Sequence, residues 1–142
     1  MKRIVYLTLG SLPLPIGYLL MHLAMYDQPL PLALVSLGMF VAWFLFSLLS
    51  ANFFRTREGA MLFLNLPALL MLLLILFQAL ALRSFWLNHF GIATHAFYLP
   101  FMGLSGLLYP LITLSLHMSA VVAFVLMLAA SFGGRLVGET IY

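Results

Sequence analysis

The sequence contains no cysteine. That absence excludes disulfide bonds, thiol redox chemistry, thiolate metal sites and thioether-linked haem, and it leaves the redox compartment open. Charge is nearly as scarce. Asp, Glu, Lys and Arg together make up 6% of the chain, against roughly 25% in soluble domains. A chain this poor in charge cannot cover itself in water. The six basic residues form no stripe that would track a phosphate backbone, so the formal charge of +3 is no nucleic-acid signal. No segment alternates polar and apolar residues like a barrel strand, and no internal repeat is visible.

What is present is apolar. Of 142 residues, 65% are hydrophobic, and the mean hydropathy is +1.19. Four segments, about 4–25, 32–51, 60–82 and 107–130, reach the roughly 20 residues needed to cross a ~30 Å hydrocarbon layer. Lipid offers no partners to an exposed backbone, so these segments are expected to be helices. The expected fold is a single all-α integral membrane domain, with four transmembrane helices in an up-down bundle. Lys2 and Arg3 before an apolar run also suit a signal peptide. That run is longer than the usual ~7–15-residue signal core and no small-x-small cleavage site follows it, so it reads as an uncleaved first span.

With four spans, Lys2, Arg3, Arg55, Arg57 and Arg135 fall on one side and only Arg83 on the other. The positive-inside rule then places both termini in the cytoplasm of a cell whose plasma membrane holds the chain. Asp27, expected to terminate the first hairpin, lies at the outer surface with His22, His89 and His95. The segment from Arg83 to Gly106 is too polar for a fifth span. Its Phe85, Trp86, Phe90, Phe97 and Tyr98 suit the headgroup zone, so it reads as an interfacial helix or re-entrant cap over the outer end of the bundle.

Chemistry-bearing residues gather on the first and fourth spans. Ser105, Tyr109, Thr113 and His117 recur every four residues on one helical face, and Ser115, Ser119 and Ala123 form a small-residue row on another. On the first span, Ser11, Pro15, Tyr18 and His22 follow i, i+4, i+7, i+11. Counting 1.5 Å per residue from the cytoplasmic ends, Tyr18 and His117 share a depth, as do His22 and Thr113. First and fourth helices are neighbours in an up-down bundle, so His117 is expected to hydrogen-bond Tyr18. The pairing serves either as interhelical glue or as a proton, ligand or cofactor site. Pro13 and Pro15 free the carbonyls of Leu9 and Ser11, which suits an ion site or a simple kink. Asn65, two residues before Pro67, is placed to fill a freed carbonyl or line a polar cavity. Gly38 and Ala42 offer a further close-approach pair.

The sequence names no cofactor, whether haem, quinone or metal. A haem b between two histidines would use His22 with His117, about 6 Å apart in depth, or His22 with His89 or His95. Met21, His22 and Met25 form a soft set suited to Cu(I). Arg55, Arg57 and Glu58 read as a solvated turn without catalytic partners.

One short stretch carries a resemblance. "GLSGLLY", Gly103 to Tyr109, resembles the nucleophile motif of rhomboid intramembrane serine proteases, Gly-x-Ser-Gly with a tyrosine four residues after the serine. The resemblance implies Ser105 as nucleophile near the outer end of the fourth helix, with His89 or His95 as its base. The second span departs from the family by lacking the histidine and asparagine of the oxyanion site, and no later helix exists to bring a base.

These features favour a small polytopic membrane protein acting as a non-enzymatic subunit or accessory of a larger assembly. Its partners would be the lipid bilayer and other membrane proteins or further copies of itself. The alternatives are a small oligomeric transporter or channel using a polar path on the first and fourth helices, and a rhomboid-like protease.

Overall fold

The structure is a computed structural model, and it describes residues 2–26, 29–54, 56–104 and 115–141. All regular elements among them are helical: α1 Lys2–Gly10, α2 Pro13–Met25, α3 Leu32–Leu49, α4 Arg57–Leu76, α5 His89–Tyr98 and α6 Leu116–Ile141. A 3₁₀ turn, Ser50–Asn52, extends α3, and a π-helical turn, Phe77–Leu82, extends α4. Four stretches are long and apolar enough to cross a membrane: Lys2–Met25, Leu32–Asn52, Arg57–Leu82 and His117–Ile141.

Local chemistry sets the helix ends. Thr56 caps α4 by accepting the Gly59 amide, and Glu58 follows in the first turn, where the helix dipole favours a carboxylate. Asn88 caps α5 through the Gly91 amide at 3.0 Å. The long α4 stretch stops at Arg83, which takes a left-handed conformation with φ 50° and returns its amide to the Gln78 carbonyl. Between α1 and α2 the chain tightens ahead of Pro13. Leu12 N donates to the Leu9 carbonyl and Leu14 N to the Ser11 carbonyl, each at 3.1 Å. The carbonyls expected to be open to an ion therefore already have backbone donors.

The packing order differs from the expected ring of consecutive helices. α1 lies mainly against α4, α4 against α6, and α6 against α3, while α2 packs on α5 and the 3₁₀ turn Leu99–Phe101. The segment between the third and fourth spans is thus built into the bundle instead of lying over it. Phe97, Tyr98 and Phe101 are fully buried beside Trp43, Leu64, Ile75 and Met127. Tyr98 Oη donates to the Ala68 carbonyl at 2.6 Å and Ser36 Oγ to the Pro100 carbonyl at 2.8 Å. Trp43 meets Phe101 edge-on at 5.6 Å. Only Phe85, Trp86 and Phe90 remain exposed, as headgroup-zone aromatics would be.

The fourth helix also runs further than the expected span. Helix α6 continues past residue 130 to Ile141, and Arg135 lies inside it. The expected stretch 107–114 lies outside the described residues.

Candidate functional site

The interior carries a hydrogen-bonded network joining α3, α4 and α6. At its centre Asn65 accepts from Trp43 Nε1 at 3.0 Å and donates to Ser131 Oγ at 3.0 Å and to the Met61 carbonyl at 2.9 Å. Ser131 Oγ donates to the Met127 carbonyl at 2.9 Å. Ser47 Oγ donates to the Ser131 carbonyl, and Ser50 Oγ to the Ser47 carbonyl. Ser50 Oγ in turn accepts from Arg135 Nη1 at 3.3 Å. Arg135 is only 3% exposed. Its other nitrogens reach the Phe54 carbonyl at 3.0 Å and Glu139 Oε1 at 2.8 Å. Glu139 closes the chain on Arg57 at 2.6 Å.

Above Arg135 the members are amide, hydroxyl and indole groups, which neither carry charge nor titrate at ordinary pH. Each is already paired, and among the described residues the buried side-chain atoms left without a partner are Gln78 Nε2 and His95 Nδ1. A satisfied network of this kind fixes helix positions and offers no vacant ligand position.

Asn65 was legible from sequence, although its amide bonds Met61 and not the Phe63 carbonyl that Pro67 frees. Trp43, Ser47, Ser50, Ser131 and Arg135 were missed. Their signal was present: Ser36, Trp43, Ser47 and Ser50 recur at helical spacing on one face of α3. Arg57, read as part of a solvated turn, shares Glu139 with Arg135 in a partly exposed cluster.

The stripe on the first span is real as a face, but it points away from the bundle. Ser11, Pro15, Tyr18 and His22 are all exposed. Ser11 Oγ turns back to the Leu7 carbonyl at 2.9 Å. His22 packs edge-on to Tyr26 at 5.0 Å. Tyr18 is 41% exposed and makes no side-chain hydrogen bond to any described residue. The expected bond from His117 to Tyr18 is not formed: His117 Nε2 lies 3.1 Å from Ser115 Oγ. The cause is the register of α6. Twenty-four residues separate His117 from Ile141, about 36 Å of helix, whereas Tyr18 stands about 24 Å from the Lys2 end. Thr113, Tyr109 and Ser105 lie outside the described residues.

At the loop end, His89 is exposed at the start of α5. His95 is partly buried, its ring edge-on to Phe85 at 5.0 Å. Burial holds its imidazole pKa below the ordinary value. Gln78 is fully buried and accepts the Trp86 amide at 2.9 Å, pinning the turn after α4. Among the described residues no group of three or more His, Asp or Glu side chains converges as a metal site would require. Gly103, the first residue of the rhomboid-like stretch, packs so closely on the Leu32 carbonyl that a methyl group there would overlap it. Comparison with protein-family models, curated proteins and solved structures finds no match to this chain.

Proposed function

We propose that this chain is a non-enzymatic membrane subunit that docks laterally on a membrane partner through the outward face of its first span. The observation that carries the reading is the exposed stripe Ser11, Tyr18 and His22 on an otherwise apolar surface. A phenol facing hydrocarbon loses its water partners, at roughly 1–3 kcal/mol. A neighbouring helix bearing hydrogen-bonding groups recovers part of that, about 0.6 kcal/mol per interhelical bond on average. The self-satisfied network joining α3, α4 and α6 supports the same reading, because a transporter or channel needs polar groups that are free to meet solute. In this reading the basic end, with both termini, faces the cytoplasm, and the plasma membrane is the host. A second copy of the chain is the simplest partner, since all copies insert in one orientation and a two-fold axis along the membrane normal brings equal depths together.

Cross-linking in native membranes tests this. Ser11→Cys treated with a bifunctional thiol reagent should yield a discrete adduct, at twice the chain mass for a self-pair or at another fixed mass for a different partner. Leu70→Cys, on the exposed apolar face of α4, should not. Tyr18→Leu should shift the mild-detergent complex to smaller size. No Ser11 adduct above the Leu70 control, together with an unchanged complex in Tyr18→Leu, would defeat the proposal.

A further inference from the structure

A groove of about 390 Å³ runs along the outside of the bundle between α4 and α6. That volume falls within the roughly 300–1,000 Å³ of small-molecule sites. Its walls are apolar, with Leu66 and Leu69 on α4 and Phe124 and Leu128 on α6, and Glu58 stands at one end. From Glu58 to Leu69 the helix rises about 16 Å, close to half of a ~30 Å hydrocarbon layer. The groove therefore has the length of one leaflet and opens sideways along the span.

Its mouth carries both signs of charge. Glu58 is exposed and forms no ion pair with any described residue, whereas Glu139 is held by Arg57 and Arg135. Phe132 continues the Phe124–Leu128 face one turn further, and the Arg57 guanidinium lies over its ring at 5.4 Å. Arg57, next to Glu58 in the chain, spends Nε and Nη2 on Glu139, which leaves Nη1 without a bond to any described residue. Around it the described charges of this end are Lys2, Arg3, Arg57 and Arg135 against Glu58 and Glu139. A bare lipophilic cation would be repelled by that excess, and a purely anionic headgroup would meet Glu58. A zwitterion satisfies both.

We propose that this groove holds an acyl chain of a phospholipid whose headgroup is a primary ammonium, with the ammonium on the Glu58 carboxylate and the phosphate toward Arg57. The occupant comes from the bilayer itself, because the groove is open along the length of the span and its charged mouth lies at one end only. The assignment concerns a different face from the proposed docking stripe and stands or falls separately.

Native mass spectrometry of the purified full chain with phosphatidylethanolamine, phosphatidylcholine and phosphatidylglycerol of identical acyl chains tests it. Phosphatidylethanolamine should be retained up to about fivefold over phosphatidylcholine, whose ammonium has no N–H to donate, the ratio expected of an exposed ion pair. It should also exceed phosphatidylglycerol. Glu58→Gln, a change at an exposed position, should bring the ethanolamine and choline lipids to parity. Leu66→Trp, which fills the groove, should reduce all three. Parity in the unmodified chain, a preference for phosphatidylglycerol, an ethanolamine preference that survives Glu58→Gln, or Leu66→Trp without effect would each overturn the proposal.

Discussion

At the scale of single residues, Asn65 joins α3, α4 and α6 through one amide. It binds Trp43 on α3, Ser131 on α6 and its own helix at Met61. Replacing it with leucine keeps the volume roughly constant but strands the Trp43 N–H and one side of Ser131. A stranded buried group costs about 1–3 kcal/mol, whereas an average interhelical bond in a membrane protein is worth nearer 0.6 kcal/mol. The stranding term should dominate here, because Trp43 is fully buried and has no water to turn to. Asn65→Leu is therefore expected to lower the thermal unfolding midpoint in detergent clearly, and Ser11→Ala, on the outward stripe, to leave it unchanged. Equal midpoints for Asn65→Leu and the parent would show the network to be incidental. Asn65 could be picked out of the sequence because an amide in the middle of an apolar run is conspicuous. Its partners could not, since Trp43 and Ser131 are 22 and 66 residues away and their pairing depends on which helices meet.

At the scale of elements, the contact of α3 with α6 decides the architecture. Gly134 and Gly138, four residues apart, bring α6 onto the backbone carbonyls of Phe44 and Leu48, so closely that a methyl group at either position would overlap them. A side chain at these positions must push two backbones apart, and overpacking of this kind costs about 1–3 kcal/mol or more. Gly134→Leu should thus destabilise the purified protein by that order in thermal unfolding. Gly38→Leu should not, because nothing lies within 4 Å of a methyl built at Gly38. Similar losses at both sites would mean that helix propensity, and not the close contact, sets the result. The first three apolar helices were legible to within a few residues because each ends in a polar loop. The fourth helix passes its expected end at 130, because Arg135 does not stop it. Its charge is carried inside the helix by Glu139 one turn on and by the Phe54 carbonyl, a compensation that hydropathy alone does not register. That added length also separates His117 in level from Tyr18, with which it was expected to pair.

At the scale of the whole molecule, the described basic residues other than Arg83 share one end of the bundle. Lys2 lies over Phe53 at 5.8 Å, Arg3 over Phe63 at 5.4 Å, and Arg57 and Arg135 meet on Glu139. The burial of α5 was not legible, since Phe97 and Tyr98 suit a membrane surface and a protein core equally well by composition. What decides between them is the Ala68 carbonyl waiting for Tyr98 Oη. The grouping of the cations, by contrast, follows from the loop positions alone and carries a physical consequence. Moving a cluster of arginines and lysines across a membrane is far costlier than moving Arg83, so the insertion machinery should retain the clustered end on the cytoplasmic side. The chain has no cysteine, so single introduced thiols report cleanly. Asn52→Cys, at the clustered end, and Ser84→Cys, in the turn beside Arg83, both occupy exposed positions. In sealed right-side-out vesicles a membrane-impermeant maleimide should label Ser84→Cys at once and Asn52→Cys only after permeabilisation. The reverse pattern would invert the orientation and put the Glu58 groove in the outer leaflet, and labelling of both sites from one side would rule out the assignment of Arg57–Leu82 as a membrane span.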